Sequence, residues 1–483
     1  MRRALIVVVL AALPVAAAPF DKSGITDWTK APEPTAEPTF KAPVAKRLKL
    51  KNGMGLLVVE NHKLPIVALT LLVPGAGASA DPTGKGGLAE LTADLLDEGA
   101  GGLSAIELAE ESDRLGASIN VGAGVDAAEM SVQTLTKTLD PTLDLIAKIV
   151  TQPAFDPKEA DRVKGDRMTT LEQRRDRPRE VVAIMLEAAL YGIKSAYGHP
   201  ASGIREEFKD LTVKDAQTFY KEHWSPAAMT LVVAGDVDAA ALHAKLDAVL
   251  GVWKPAGAKL PVRPVVAPQK LTHRLLLADR PGAAQSDVRI GLVGLDRKDK
   301  RYYAFEVLAT TLGGGFTSRL TQRLREQLGI TYGAGAGMDW RLLPGPFVIG
   351  TAIVTAETAH GMTETIKILD DLATNDVPAA ELEKSKQNMI RALPAMFDTN
   401  SSTTEALAEL VLHGLPDDWF AHYADSVRKV TAKDVKTAAK SLIPSNKMII
   451  AIVGDMSKVR ADLDKLGLGE PEMHDLYGMP VSK

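Results

Sequence analysis

The sequence predicts an α+β protein built from two homologous domains. Three observations indicate this class. Short apolar runs rich in β-branched residues alternate with stretches at helical spacing, the same series of motifs occurs twice, and a proline-rich segment separates the two copies. With 483 residues, of which 46% are hydrophobic and 24% charged, the chain is too long for a single core and suits two domains of ordinary size.

The elements of the first copy follow from local patterns. Two apolar runs between residues 46 and 74 predict strands, and three leucines at the spacing of one helix face follow them. A Ser-x-x-Glu capping box at Ser104 opens a helix that should end at Gly116. Residues 117–135 predict further strand structure, and two helical stretches and a buried strand complete the copy.

Two pairs of segments carry the internal repeat. The segment that begins at Leu211 matches the one that begins at Val430 without a gap, and Thr-x-x-Asp stands before a helix in both. Further upstream, DRLGASINVGAGVD matches EQLGITYGAGAGMD, which aligns Asp126 with Asp339. A repeat of this length indicates a duplicated domain rather than a solenoid.

A signal-like N-terminal segment and two proline-rich segments predict the domain boundaries. Residues 1–17 have paired arginines, a short apolar run and small residues, which is typical of a secretory signal peptide. The proline-rich residues 18–44 predict an extended arm, and residues 253–270 predict the linker between copies. The N-terminal domain is therefore expected at 45–252 and the C-terminal domain at 271–475.

Composition narrows the function classes. A net charge of -4 without a dense basic cluster argues against nucleic acid as a partner, because such binding depends on neutralising phosphates. The apolar run in the signal is too short for a stable membrane anchor. With no cysteine, the chain has neither disulfides nor a lipid-attachment site. We expect an exported protein, most simply in a bacterial periplasm.

Several motifs occur in an order that resembles a known family: DPTGKGGLAELTADLLDEGA, PAFDPKEADRVK, YGHP and GGGFTSRLTQRLREQLGITYGAGA. They resemble the insulinase, pitrilysin and mitochondrial processing peptidase family of inverted zinc peptidases, and the resemblance covers nearly the whole mature chain. It implies two α/β-roll domains, each an antiparallel-rich sheet with helices on one side. Together these domains would form half of a peptidase clamshell.

The zinc motif of this family is degenerate here. Active members carry H-x-x-E-H, in which two histidines bind zinc and the glutamate activates water. The resemblance places Glu90 and Asp94 at the histidine positions, Ala93 at the general base and Thr170 at the third ligand. None of the four residues matches, so no metal and no cofactor is expected on this chain.

Glu90 and Asp94 allow three interpretations. The simplest is a solvated acidic face of the helix. A second is an acidic stripe that faces the substrate chamber of the family and attracts basic peptides through its long-range potential. A third is a site for a hard cation, formed by these two carboxylates with Asp97 nearby.

The second copy keeps a different part of the site. RLREQLGITYGAG contains Arg325 and Tyr332 on either side of Gly329, which should cap the helix that carries the arginine. In the family that the chain resembles, an Arg and a Tyr at this spacing reach the scissile carbonyl. A guanidinium and a phenol can both donate hydrogen bonds to a developing oxyanion. The alternative is local, with Arg325 at the helix dipole and Tyr332 packed in its strand.

The resemblance leads to a specific functional hypothesis. Family members of this size pair two chains, and in some bacterial pairs one chain supplies zinc and the other the Arg/Tyr pair. The chain is then a zinc-free subunit whose Arg325 and Tyr332 complete the site of a homologous partner that carries H-x-x-E-H and zinc. Its substrate would be an unfolded peptide bound by strand addition to a sheet edge. Two alternatives remain: an inert structural subunit like the core proteins of a respiratory complex, and a peptide-binding shell without hydrolysis.

Overall fold

The computed structural model describes residues 40–254 and 275–481. The predicted signal peptide (1–17), most of the predicted arm (18–44) and most of the predicted linker (253–270) lie outside the described residues. In neither described range is any helix long and apolar enough to cross a bilayer.

The first half of the described chain alternates strands with helices. Its strands are β1 (Lys46–Lys49), β2 (Gly55–Glu60), β3 (Ile66–Pro74), β4 (Gly99–Ala100), β5 (Leu103–Ser104), β6 (Ser118–Ala123), β7 (Ala127–Leu135) and β8 (Thr230–Gly235). Its helices are α1 (Leu88–Asp94), α2 (Ala105–Leu115), α3 (Leu139–Thr151), α4 (Pro157–Gln173), α5 (Pro178–Tyr191), α6 (Arg205–Phe208), α7 (Val213–His223) and α8 (Ala239–Val249).

The second half follows a related order. Its strands are β9 (Leu275–Asp279), β10 (Gln285–Val293), β11 (Thr331–Met338), β12 (Pro346–Val354), β13 (Ile449–Gly454) and β14 (Glu472–His474). Its α-helices are α9 (Tyr302–Gly313), α10 (Thr358–Thr374), α11 (Ala379–Ala392), α12 (Asn400–His413), α13 (Tyr423–Arg428), α14 (Ala432–Leu442) and α15 (Met456–Asp464). A π-helical segment, Thr321–Gln327, precedes β11.

Each half contributes one six-stranded sheet, and the two sheets have matching strand orders. The first sheet runs β1-β2-β8-β3-β7-β6 and the second, in the same direction, runs β14-β9-β13-β10-β12-β11. In both sheets the second and third strands pair parallel, and the three pairings that follow are antiparallel. This correspondence confirms the α+β class, the antiparallel-rich sheets and the duplication.

The predicted capping signals set the helix ends. Ser104 with Glu107 forms the capping box of α2, which ends at Gly116 in the left-handed conformation (φ 64°). Thr212 and Thr431 form equivalent capping boxes at the two matched helices, α7 and α14. Each box satisfies backbone N–H groups that the first helical turn leaves without an acceptor.

One face of each sheet packs on helices of its own half. In the first sheet, Leu56 and Leu69 join the buried residues of α3 and α8. In the second sheet, Val288 and Ile450 join those of α9 and α14. Because side chains alternate along a strand, the neighbouring residues lie on the opposite face of the sheet, and that face must pack against a second layer.

That second layer comes from the other half of the chain. Helix α5 lies on the second sheet, where Met185 is fully buried beside Ala451 and Val453. Helix α12 lies on the first sheet, where Leu407 is buried beside Leu57. The two halves thus exchange one helix each, which the repeat pattern alone did not predict.

Candidate functional site

Helix α1 carries the degenerate zinc motif, and the side chain of Asp81 binds the backbone at its start. Asp81 accepts hydrogen bonds from the backbone N–H groups of Gly87 and Ala89, both at 2.7 Å. Burial raises the pKa of Asp81 to about 7, against the lowering effect of these hydrogen bonds. Leu88 and Leu91 face the core as predicted, which turns Glu90 toward α4.

The carboxylates of Glu90 and Asp94 share a guanidinium, that of Arg167 on α4. Nε of Arg167 donates to Asp94 Oδ2 at 2.6 Å, and Nη2 donates to Asp94 Oδ1 and to Glu90 Oε1, both at 2.7 Å. The other oxygen of Glu90 accepts from the backbone N–H of Ala123 at 3.1 Å. The side chains of Glu90 and Asp94 are each 16% exposed and that of Arg167 is 28% exposed. The cation that these two carboxylates bind is therefore the guanidinium of Arg167.

The pKa shifts agree with this geometry. Hydrogen bonding to Asp94 is the main factor that raises the pKa of Arg167. Burial raises the pKa of Glu90, and the charge of Arg167 acts against that rise. The bidentate fork on Asp94 is the strongest arrangement available to a guanidinium and a carboxylate.

The interpretation of a solvated acidic face is wrong, because both carboxylates are largely buried and paired with Arg167. Sequence reasoning missed this arginine. It lies just before Thr170 on α4, so a basic residue near the third-ligand position was the available signal.

The other two motif positions carry no metal chemistry. Ala93 is fully buried, and its methyl group offers neither a base nor a ligand. Thr170 is exposed, and its hydroxyl donates to the carbonyl of Asp166 in its own helix at 3.2 Å. Within residues 40–254 and 275–481, no three His, Asp or Glu side chains are grouped to hold a metal ion. These residues do not fit the zinc of the family.

The motif opens into a cavity of about 530 Å³ between the halves. Glu90 and Glu129 line it from the first half, and Trp340 and Arg341 line it from the second. Burial raises the pKa of Glu129, and the charges of two further glutamates on α12 add to the rise. Because Arg167 offsets the charge of Glu90 and Asp94, the second interpretation, attraction of basic peptides, stays a prediction that would depend on Glu129 and its neighbours.

Arg325 lies on the π-helical segment before β11. This wider turn is shown by the hydrogen bond from the N–H of Leu328 to the carbonyl of Arg323 at 3.1 Å, and Gly329 ends it in the left-handed conformation (φ 66°). The guanidinium of Arg325 lies 5.1 Å from the ring centroid of Phe316 and pairs with Glu326 at 3.2 Å. Single π turns in proteins occur frequently at functional sites.

Tyr332 is the second residue of the edge strand β11 and is 88% exposed. The register shifts between Thr331 and Ala334, so a bulge sets the direction of this tyrosine. Both Arg325 and Tyr332 lie in the described part of the chain, and no hydrogen bond joins them. The packed-tyrosine alternative is wrong, because the ring is exposed. Phe316, 73% exposed, was missed as a neighbour of Arg325; its position after a glycine triplet was the signal.

Comparison with known proteins agrees with this arrangement. The family model "Peptidase M16 inactive domain" matches residues 210–389 and "Insulinase (Peptidase family M16)" matches residues 56–200. "Uncharacterized zinc protease Rv2782c" of Mycobacterium tuberculosis is 27% identical over 396 residues, which are 80% of this chain and 88% of that protein. "Non-peptidase homolog YmxG" of Helicobacter pylori is 22% identical over 403 residues, 83% and 91% of the two chains.

Solved structures share the fold. The peptidase M16 inactive domain from Pseudomonas fluorescens has a TM-score of 0.76 at 24% identity and covers 85% of this chain and 98% of its own. A chain of Complex III2 from Candida albicans has a TM-score of 0.74 at 17% identity and covers 87% and 99%. With two family models matched in order and a recognisable but degenerate metal motif, the chain belongs to the insulinase (M16) peptidase family.

Proposed function

We propose that this chain is the zinc-free subunit of a heterodimeric periplasmic metallopeptidase that cleaves unfolded peptides. One contrast carries the proposal. At the motif of the first half, Arg167 occupies the carboxylates of Glu90 and Asp94, whereas in the second half Tyr332 is exposed and Arg325 is partly exposed. The chain has closed the metal half of the site and kept hydrogen-bond donors at the other. The signal pattern of residues 1–17 supports export.

The partner in this proposal is a homologous chain with an intact H-x-x-E-H motif, which supplies the zinc and the activated water. The residues of this chain bind and orient. A peptide adds to a sheet edge in extended form, and β11, which begins beside Tyr332, is an edge strand. The Arg325 guanidinium and the Tyr332 hydroxyl then donate hydrogen bonds to the carbonyl oxygen as it gains negative charge.

The test is cleavage by the reconstituted pair. The purified chain is mixed with its zinc-bearing partner, and the initial rate on an unfolded peptide is compared for wild type, Arg325→Ala and Tyr332→Phe. Each variant should lower kcat by on the order of 10² to 10³, the usual cost of removing one oxyanion donor. Arg460→Ala is the matched control, because this arginine of α15 pairs with Asp464 four residues away at the surface. Unchanged rates in a normally assembled complex refute the roles of Arg325 and Tyr332.

A second candidate function is an inert structural subunit. The likeness of the fold to a chain of Complex III2 and the relation to "Non-peptidase homolog YmxG" favour it. An inert subunit also explains why the metal motif is degenerate, but it does not explain why Tyr332 is exposed. Under it, Tyr332→Phe and Arg325→Ala leave every measured activity of the complex unchanged, and the complex with an intact partner cleaves nothing.

A further inference from the structure

A second cavity lies on the face of the second sheet that helix α5 covers. Its volume is about 480 Å³, which is within the range of ligand sites. Strands β10, β12 and β11 form its floor, where Gly350 pairs with Gly335 across the sheet. Val182 and Leu186 of α5 contribute an apolar wall. Because glycines line the floor, a ligand can approach the backbone of these strands closely.

Arg289 of β10 supplies the central charge. It is the cross-strand partner of Gly350, and a Cβ atom at that position would come 2.6 Å from Nη1 of Arg289. The glycine therefore leaves room for the guanidinium to lie across β12. Arg179, in the first turn of α5, lines the same cavity. Burial, followed by the charge of Arg179, lowers the pKa of Arg289, as expected for two like charges that approach each other.

These two arginines lack anionic partners of their own. Among the described residues, neither guanidinium makes a hydrogen bond or an ion pair. The nearby Glu187 is engaged by Arg341 at 3.1 Å, and Asp287 interacts with the pair through its field without a hydrogen bond. Asp339 also lines the groove and pairs with the same Arg341 at 2.6 Å, so the three guanidinium groups and the three carboxylates balance in charge. What the groove leaves open is the hydrogen-bonding capacity of Arg179 and Arg289. A planar guanidinium binds a carboxylate in a bidentate manner, so this groove is suited to one.

We propose that Arg179 and Arg289 form a binding site for a peptide carboxylate, either the C-terminal carboxylate or an acidic side chain. The apolar wall from α5 accepts the neighbouring side chains, and the glycine floor accommodates an extended backbone. This proposal rests on the proposed function only in taking a peptide as the ligand. The site belongs to the chain alone and requires neither the partner nor catalysis.

Binding to the isolated full chain tests the site. The probe is a pentapeptide of Ala, Leu and Gly that carries an uncharged BODIPY dye at its N-terminus, prepared with a free C-terminus, with a C-terminal amide, and as the amide with one internal Asp. Anisotropy gives the Kd of each. The free acid or the Asp peptide should bind at least tenfold more tightly than the neutral amide, and the stronger of the two identifies the source of the carboxylate.

Variants then assign the binding to this groove. Arg289→Gln and Arg179→Gln should each weaken binding of the carboxylate peptide at least tenfold, whereas Arg460→Gln, which makes the same change of net charge at α15, should leave it unchanged. Arg289→Lys keeps the charge but loses the fork, and should weaken binding severalfold. The proposal is overturned if neither the free acid nor the Asp peptide binds more tightly than the neutral amide, or if Arg289→Gln and Arg460→Gln bind the carboxylate peptide equally well. Because no cleavage is measured, either outcome leaves the roles of Arg325 and Tyr332 to their own test.

Discussion

Arg167 shows how a family motif changes its physical role. In the zinc peptidases of this family, two motif side chains are ligands of a divalent cation; here two carboxylates hold a guanidinium. The sequence indicated that metal chemistry was lost, because Glu90, Ala93 and Asp94 stand where His, Glu and His are required. It did not show what replaced the metal, since Arg167 reaches them from a helix distant in sequence. A motif predicts where its residues lie in the fold. Which side chain they contact after the motif has changed depends on tertiary packing.

Removing Arg167 should destabilise the protein. Arg167→Ala leaves two largely buried carboxylates side by side without a cation, and we expect the free energy of unfolding to fall by about 2 kcal/mol, less than for a fully buried pair because the site is partly exposed. Urea denaturation measures the change. Arg114→Ala on α2 is the control, because its side chain is 65% exposed and its ion pair with Glu111 lies within one surface helix, where such a pair contributes little. Equal stability of the two variants would contradict a structural role for Arg167.

Asp97, just after α1, should give the protein a distinct pH dependence. Burial, with the charges of Glu98 and Asp94 adding, raises its pKa from 3.8 to about 6. The folded state then holds this proton more tightly than the unfolded state, so its contribution to stability falls as the pH rises from about 4 to about 6. Asp97→Asn removes this cost, and the variant should be more stable than wild type by roughly 1–3 kcal/mol above pH 6.

Urea denaturation of both proteins between pH 4 and pH 8 measures this difference, and other groups that titrate in the same range cancel in the comparison. Asp140→Asn, a change at a side chain that is 63% exposed, serves as the control. A difference between Asp97→Asn and wild type that stays constant across this range would show that Asp97 does not carry the shift.

At the scale of elements, local signals predicted where helices begin and end. Ser104, Thr212 and Thr431 each begin a helix with a capping box, and Gly116 ends one, because these preferences depend only on neighbouring residues. Where a helix packs depends on distant residues. The pattern of α12 predicts an amphipathic segment but not the sheet that it covers, and it covers the sheet of the other half.

Shortening a buried side chain of α12 should therefore destabilise the first sheet. Leu407 is 1% exposed and packs in the cluster that contains Leu57 and Val232 of that sheet. Leu407→Ala should lower the free energy of unfolding by about 2–4 kcal/mol through lost burial and a new cavity. Hydrogen exchange should show faster opening of β2 and β8, with Leu64→Ala, a change at a residue that is 61% exposed, as the control. Protection losses confined to the second half would be inconsistent with the exchange of helices.

At the scale of the whole molecule, the duplication was readable because both copies keep the same turn and cap residues. The sequence did not show that matched residues of the two copies have different contacts. Asp126 and Asp339 align in the repeat, yet Asp126 accepts hydrogen bonds from the hydroxyl of Tyr197 and the backbone N–H of Leu342, both at 2.8 Å, whereas Asp339 pairs with Arg341 at 2.6 Å. The first aspartate thus connects the two halves and the second supports a local ion pair. Equivalent positions acquired different roles because the halves pack on each other asymmetrically.

The exchange of helices predicts that neither half is an independent folding unit. Residues 45–252 alone lack α12 and expose the face of Leu57 and Val232; residues 271–475 alone lack α5 and expose the face of Ile449 and Val453. Apolar faces of this kind should make each half aggregate or bind the dye ANS. Co-expressed halves should instead copurify as a soluble pair with the circular dichroism spectrum of the full chain. A half that is soluble on its own, does not bind the dye and unfolds cooperatively would show that the exchanged helix is dispensable for its sheet.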